Sequence, residues 1–436
     1  MGARGVLTLQ EGRDQRAARR GRGARSTAGL GALVLLVFGF CLITIAHGRP
    51  NFDIYRIDLD VYRLGAHAWL SGHNLYGQLP PTRNGLALGF TYPPISAVLM
   101  TPLAVVPARL AGILITALTL GLMMAVVALF LRTAGLADRP RSWRLAALLL
   151  PVAVLIEPVR TTLAYGQINV VLMALVAFDC LLADTWFRLP EGWPLIGGRR
   201  IGWPRGALIG VAAALKLTPA VFVLYFVARR QWRAAATTAL SFVVVTGIGA
   251  LLAPQDSVRY WTKMVFDTGR IGPLAFAGNQ SLNGVLYRAH LTGSAEQAAW
   301  FAAALAVGAI ALVAVSRAAR AGRPLLALGL TACTELLVSP VSWSHHWVWA
   351  APILLTALLA AYRARERNRR ALALSAAGLA LFLASPQWWF PGTQGRELHW
   401  GWWEQVLGSA YVWAALGVLI ASALGYAPNL LPADSQ

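Results

Sequence analysis

Apolar residues run almost unbroken along this chain in stretches close to the 17–25 residues that carry a helix across a bilayer, and polar residues fall between them. The clearest stretches are 30–46, 109–131, 206–228, 234–253, 298–315, 325–341, 347–361, 371–385 and 406–425, with shorter ones at 92–107, 145–157 and 167–184. Taken with most of the short ones, the pattern predicts an all-α polytopic integral membrane protein of about 11–12 transmembrane or re-entrant helices. The predicted organisation is a basic tail at 1–28, one membrane domain at 29–426 and a short tail at 427–436. Composition agrees, with 57% hydrophobic and 13% charged residues and a mean hydropathy of +0.57, where soluble domains carry about one-quarter charged residues.

The net charge of +20 would suggest nucleic acid in a soluble protein. Here the arginines sit in short connections between apolar runs, so they report topology and a grip on anionic membrane lipid, with no nucleic-acid partner. Arg4, Arg13, Arg16, Arg19, Arg20, Arg22 and Arg25 precede the first run. The positive-inside rule therefore keeps the N-terminus cytoplasmic and places the segment after that run outside, and no small-residue cleavage site marks the first run as a removable leader. Arg229, Arg230 and Arg233, then Arg317, Arg320 and Arg323, then Arg363, Arg365, Arg367, Arg369 and Arg370 mark cytoplasmic turns. External loops are expected near 48–91, 254–297 and 386–405, with the corner Ser342–His346 on the same face. Arg139, Arg141 and Arg144 stay ambiguous: they fall outside if every short run crosses, and inside if some are re-entrant. Cys41, Cys180 and Cys333 each lie within an apolar run, which suits packing thiols and gives neither a disulfide framework nor a metal-site spacing.

Polar clusters interrupt this background. Arg56-Ile-Asp58-Leu-Asp60-Val-Tyr62 comes after the first run, in a chain with only 18 acidic residues; the paired carboxylates suit chemistry, or else a helix cap and an ion pair with Arg56 or Arg63. Glu157-Pro158 and Tyr165-Gly166-Gln167-Ile168-Asn169 stand at the ends of two runs, and Gln167 and Asn169 suit either sugar hydroxyls or interhelical hydrogen bonding. Lys216 lies inside a run, where a charge costs about 2.5–3.5 kcal/mol at the bilayer centre. It either grips an anion, snorkels to an interface or pairs with Glu157. Asp267, Arg270, Asn279 and Gln280 occupy a long external loop, and Ser339-Pro-Val-Ser-Trp-Ser-His345-His346-Trp347 sets adjacent histidines beside tryptophans. Neighbouring histidines point about 100° apart on a helix, so the pair is weak evidence for zinc, and no metal site is expected.

This ordered set, from Tyr55-Arg-Ile-Asp-Leu-Asp-Val-Tyr62 through Phe90-Thr-Tyr-Pro-Pro94, Glu157-Pro, Tyr165–Leu172, Lys216-Leu-Thr-Pro-Ala220, Arg270-Ile-Gly272 and Asn279-Gln280 to Ser339–Trp347, resembles the polyprenol-phosphate-mannose-dependent α-1,2-mannosyltransferases of mycobacteria and related actinobacteria. The resemblance implies a GT-C glycosyltransferase fold in the plasma membrane, with the active site on the periplasmic face. It implies transfer of mannose from polyprenyl-phosphate-mannose to phosphatidylinositol mannoside, lipomannan or lipoarabinomannan, with inversion. Phe90–Pro94 and Trp343–Trp347 look closest to the member that branches lipomannan, while the related enzyme that extends phosphatidylinositol tetramannoside shares much of the same set. The family's general base falls on Asp58; Asp60, Tyr62, Gln167, Asn169, Asn279, Gln280 and Trp347 become candidates for sugar or acceptor contacts, and Lys216, Arg270, His345 and His346 for the phosphate. No cofactor beyond the donor is expected, and Mg²⁺ stays open. A transferase using another polyprenyl-phosphate sugar, and a lipid-linked-sugar flippase, are the competing expectations.

Overall fold

The computed structural model describes residues 55–182, 187–188, 200–201, 203–364 and 368–426. The basic tail, the 30–46 run with Cys41 and residues 427–436 lie outside them.

Helix α1, Ile57–Leu70, is amphipathic and buries Leu59, Tyr62 and Ala66. Asp58 and Asp60 sit in its first turn, where unpaired N–H groups and the helix dipole favour carboxylates. The 92–107 run forms two short helices, α2 (Pro94–Leu99) and α3 (Thr101–Val105), each with proline at its start. Proline lacks the N–H that continues a helix, so this run never becomes a span. Helix α4 is Ala108–Thr133, and α5, Arg139–Leu155, meets α6, Glu157–Tyr165, at an 81° bend. Pro158 at the second position of α6 opens a new helix where the old one cannot propagate. Helix α7 is Asn169–Leu181, and strands β1 (Phe187–Arg188) and β2 (Arg200–Ile201) pair antiparallel beyond it.

Then come α8 (Ala207–Leu215), a 3₁₀ turn over Thr218–Phe222, α9 (Val223–Ala228), α10 (Trp232–Leu252), α11 (Pro254–Arg259) and α12 (Leu282–Arg288). The remaining helices are α13 (Gly293–Arg320), α14 (Pro324–Val338), α15 (Ala350–Arg363) with a 3₁₀ turn over Ser344–Trp349 before it, α16 (Arg369–Ala384), α17 (Trp402–Gly408) and α18 (Ala410–Leu424). Among the described residues five helices are long and apolar enough to cross a membrane, or up to seven if each bent pair is one span; α7 and α14 are shorter apolar helices packed inside the bundle. The chain is an all-α, multi-pass membrane protein.

Two contacts settle the ambiguous middle. The Arg363 guanidinium donates to the Leu136 carbonyl, so the turn between α4 and α5, with Arg139, Arg141 and Arg144, lies on the same face as the arginine-rich turn after α15. The run at 206–228 is not a span. A Cβ on Gly206 would strike the Ala234 carbonyl at 2.1 Å and one on Gly210 the Thr238 carbonyl at 2.6 Å. Both partners advance four residues together, so α8 and α10 run side by side in one direction. The chain must therefore return between them, and 206–228 is a re-entrant hairpin with both ends on the arginine face. Lys216 is its apex, extended at φ −151°, ψ 124°. The nine residues of α8 carry it about 14 Å inward at 1.5 Å per residue, roughly half the hydrocarbon thickness.

This topology is testable in a background without native cysteines: Asn74→Cys and Gln78→Cys should react with an impermeant maleimide on one face, and Ala364→Cys and Gln231→Cys only on the other. Gln231→Cys labelling alongside Asn74→Cys would turn the hairpin into a span.

Candidate active site

The site forms where α1, the 90–94 loop, the α6–α7 turn, the hairpin apex and the Ser344–Trp349 corner meet. Gly166 makes the α6–α7 turn, at φ 70°, ψ 35°. A Cβ there would stand 2.8 Å from the Leu59 Cβ, so only glycine lets the turn close on α1. The closure aims Gln167 at Asp58: Nε2 donates to Asp58 Oδ2 at 2.8 Å, while Oε1 accepts from Tyr62 at 2.6 Å and from Tyr92 at 3.2 Å. The two hydroxyls lie 3.0 Å apart. Asp58 Oδ1 accepts no hydrogen bond among the described residues. Burial raises the Asp58 carboxyl to about 6, opposed by the Gln167 hydrogen bond and the Lys216 charge, which leaves it poised as a base near neutrality.

Across from it, Lys216 Nζ donates to Asn169 Oδ1 at 3.3 Å, meets His346 Nε2 at 3.0 Å and stands 5.7 Å from the centre of the Tyr92 ring. An ammonium only donates, so His346 accepts through Nε2 and carries its proton on Nδ1. The corner is held by its backbone: the His345 carbonyl accepts from Thr162 at 2.9 Å and from Asn169 Nδ2 at 2.8 Å. His345 Nε2 is buried without a hydrogen-bond partner among the described residues. Asp58, Gln167, Asn169, Lys216, His345 and His346 thus gather from distant parts of the chain.

Other candidates lie elsewhere, and the reasons are local. Asp60 accepts from the Tyr55 hydroxyl at 3.1 Å and the Arg83 backbone N–H at 2.8 Å, so it holds the 82–84 loop. Tyr62 is buried and serves Gln167. Arg270 clasps the Phe90 and Thr91 carbonyls, each at 3.1 Å, and the Met264 carbonyl at 3.0 Å; its fork fixes the loop carrying Tyr92. Asn279 and Gln280 are fully buried. Asn279 bridges the Ser342 N–H at 3.0 Å and the Leu274 carbonyl at 3.1 Å, and Gln280 donates to the Ala277 and Gly408 carbonyls. With Gln280 N–H to Ser342 and Ser344 N–H to Gly278, both at 2.7 Å, they scaffold the histidine corner. Trp347 turns into the core against Tyr411 and Phe382.

Glu157 does not pair with Lys216. Its carboxylate accepts from Ser344 at 2.8 Å, Thr161 at 2.9 Å, Trp388 at 3.1 Å and Tyr411 at 3.3 Å. The carboxylate that shares a cavity with Lys216 is Glu335 on α14. A lone acid inside the 325–341 run carried the same signal as Lys216, and sequence reasoning missed it. Among the described residues no three His, Cys, Asp or Glu side chains come together as a metal site.

Residues 90–340 match the model of glycosyltransferase family 87. The chain is 41% identical over 418 residues, 93% of each chain, to a polyprenol-phosphate-mannose-dependent α-(1-2)-phosphatidylinositol mannoside mannosyltransferase of Mycobacterium tuberculosis. It is 34% identical to a phosphatidylinositol pentamannoside mannosyltransferase of the same species with the same donor dependence, covering 91% of this chain and 87% of that one. Among solved structures, ArnT from Cupriavidus metallidurans bound to undecaprenyl phosphate is similar at a TM-score of 0.41 and 17% identity, covering 92% of this chain and 77% of that chain.

Because Glu157 ties the corner to α6, the 386–405 loop and α18, Glu157→Gln should turn one acceptor into a donor against those donors. The expected cost is about 2–3 kcal/mol, since breaking hydrogen bonds to a buried charge costs that much, read as a lower melting midpoint in detergent. An unchanged midpoint would remove Glu157 as the tie.

Proposed function

Since the chain belongs to glycosyltransferase family 87, we propose that it transfers mannose from polyprenyl-phosphate-mannose to a phosphatidylinositol mannoside or a related mannosylated lipid, forming an α-1,2 linkage. The observation that carries this reading is Asp58, a carboxylate with one oxygen held by Gln167 and the other free, facing Lys216 and His346 across the site. An acceptor hydroxyl beside Oδ1 gives its proton to Asp58 while its oxygen attacks the anomeric carbon. The bond from that carbon to the phosphate oxygen breaks, and its electron pair leaves on the lipid phosphate. A single displacement turns a β-linked donor into an α-mannoside. Lys216 is a donor already in place where the phosphate gains charge, with the two histidines beside it, so it favours the transition state without rearranging.

The site opens on the face opposite the arginine-rich turns. By the positive-inside rule that face is the outer one of the plasma membrane, where a lipid-linked donor and not a cytosolic sugar nucleotide meets the enzyme. The greater identity to the phosphatidylinositol mannoside enzyme favours that acceptor. The direct test incubates the purified protein with polyprenyl-phosphate-mannose and a panel of phosphatidylinositol mannosides, lipomannan and lipoarabinomannan, then maps the new linkage; no mannosylated product from any of them would end this reading.

Asp58→Asn should abolish transfer with the fold intact, because an amide keeps the Gln167 contact's shape but takes no proton. Retention of more than about a tenth of wild-type turnover would defeat the base assignment, given the usual 10²–10⁴-fold size of general-base effects. Asp60→Asn, which loosens only the 82–84 loop, should be milder. Since the base form of a carboxyl at about 6 is lost as pH falls, kcat/KM should drop about tenfold per unit below that point and level off above it.

A further inference from the structure

Lys216 has two carboxylates acting on its charge. Asp58 faces it from α1, and Glu335 shares its cavity from α14. Lys216, Thr218, Glu335, His346 and Asn169 line one cavity walled by Trp349 and its neighbours, and the Thr218 hydroxyl lies against the Glu335 carboxylate. The hairpin apex is thus held at its ammonium by Asn169 and His346, with Glu335 and Thr218 in the same cavity. Lysine is a point charge on a flexible four-carbon stem. With Asp58 as its sole carboxylate, only the neutral Asn169 and His346 would hold it from closing on Oδ1, the oxygen the reaction needs free.

We propose that Glu335 is a positioning residue, which holds the Lys216 ammonium away from Asp58 and so keeps the base open and the cation aimed at the leaving phosphate. Asp58 is then unpaired because Lys216 is claimed by a second acid. Its kinetic consequence rests on the mannosyl-transfer reading, but the pairing itself does not.

The chain has two lysines, Lys216 and the exposed Lys263, so zero-length carbodiimide crosslinking in native membranes, followed by peptide mass mapping, reads the pairing without any substrate. The expected isopeptide joins Lys216 to Glu335 in the wild type and Lys216 to Asp58 in Glu335→Gln. A wild-type bond to Asp58 alone, or no bond to Asp58 in Glu335→Gln, would overturn the proposal. Kinetics give the second arm: Glu335→Gln should cut kcat at least tenfold with donor KM nearly unchanged, Glu335→Asp should recover much of it, and Glu335→Gln should add no loss in a Lys216→Met background.

The acid limb of the pH profile should also move to lower pH in Glu335→Gln, as Lys216 closes on Asp58. The titratable groups facing Asp58 are Tyr62 on α1, Tyr92 before α2, Tyr165 on α6 and Lys216, and Lys216 in turn shares its cavity with Glu335 and His346. A fixed limb, or independent losses from the two substitutions, would make Glu335 merely structural. If the wild type transfers no mannose, the functional reading fails and crosslinking still decides the role of Glu335.

Discussion

A lysine carried about half-way into a bilayer, at a cost of about 2.5–3.5 kcal/mol if left to lipid, has to be met by polar groups from every side. Much of this architecture stems from that requirement. The span that would have held Lys216 is broken into a hairpin, its apex backbone is extended, and the groups that meet it come from α7, the corner before α15, and α14. Irregular backbone at membrane depth survives only where protein or a cavity covers it. The prolines at 93–94, 158 and 219 therefore cluster around this one place, where interrupted helices leave room for polar groups.

Much of the fold was legible in the hydropathy, because long lipid-facing helices such as α10 and α13 must be apolar along their whole length. What hydropathy could not tell was whether a run of the right length goes through or turns back. The 206–228 run is apolar enough to cross, yet close approach of Gly206 and Gly210 to α10 makes it return. That is a packing fact, decided by residues far off in the chain. The same limit explains Arg139, Arg141 and Arg144, whose side is fixed by Arg363 reaching Leu136.

The site was legible where a residue type is costly in its setting: Asp58, Lys216, Gln167, Asn169 and the two histidines converge. It was misleading where amide and guanidinium side chains were read for what they could bind. Asn279, Gln280 and Arg270 spend their donors on backbone carbonyls of loops that have no ladder of their own. An external loop that must hold a fixed shape needs such partners as much as a sugar does, and sequence alone does not say which demand is served.

The acids make the distinction sharper. Asp179 accepts from Trp203 and the Gly206 and Ile209 backbone N–H groups, and so anchors the start of the hairpin. Glu157 takes four donors, and Glu397 takes the Ala277 and Thr393 N–H groups. Asp179 and Glu157 have both oxygens filled by the protein, as a structural carboxylate removed from water must be, and Glu397 takes both of its donors on Oε1. Asp58 has one protein donor and an open oxygen, beside a lysine held by others. An acid left unfilled in a half-buried place costs stability that a solvated or saturated one would not. Such a cost is understandable where a substrate hydroxyl supplies the missing partner, and the neutral and cationic side chains gathered around it suit the other half of the same reaction.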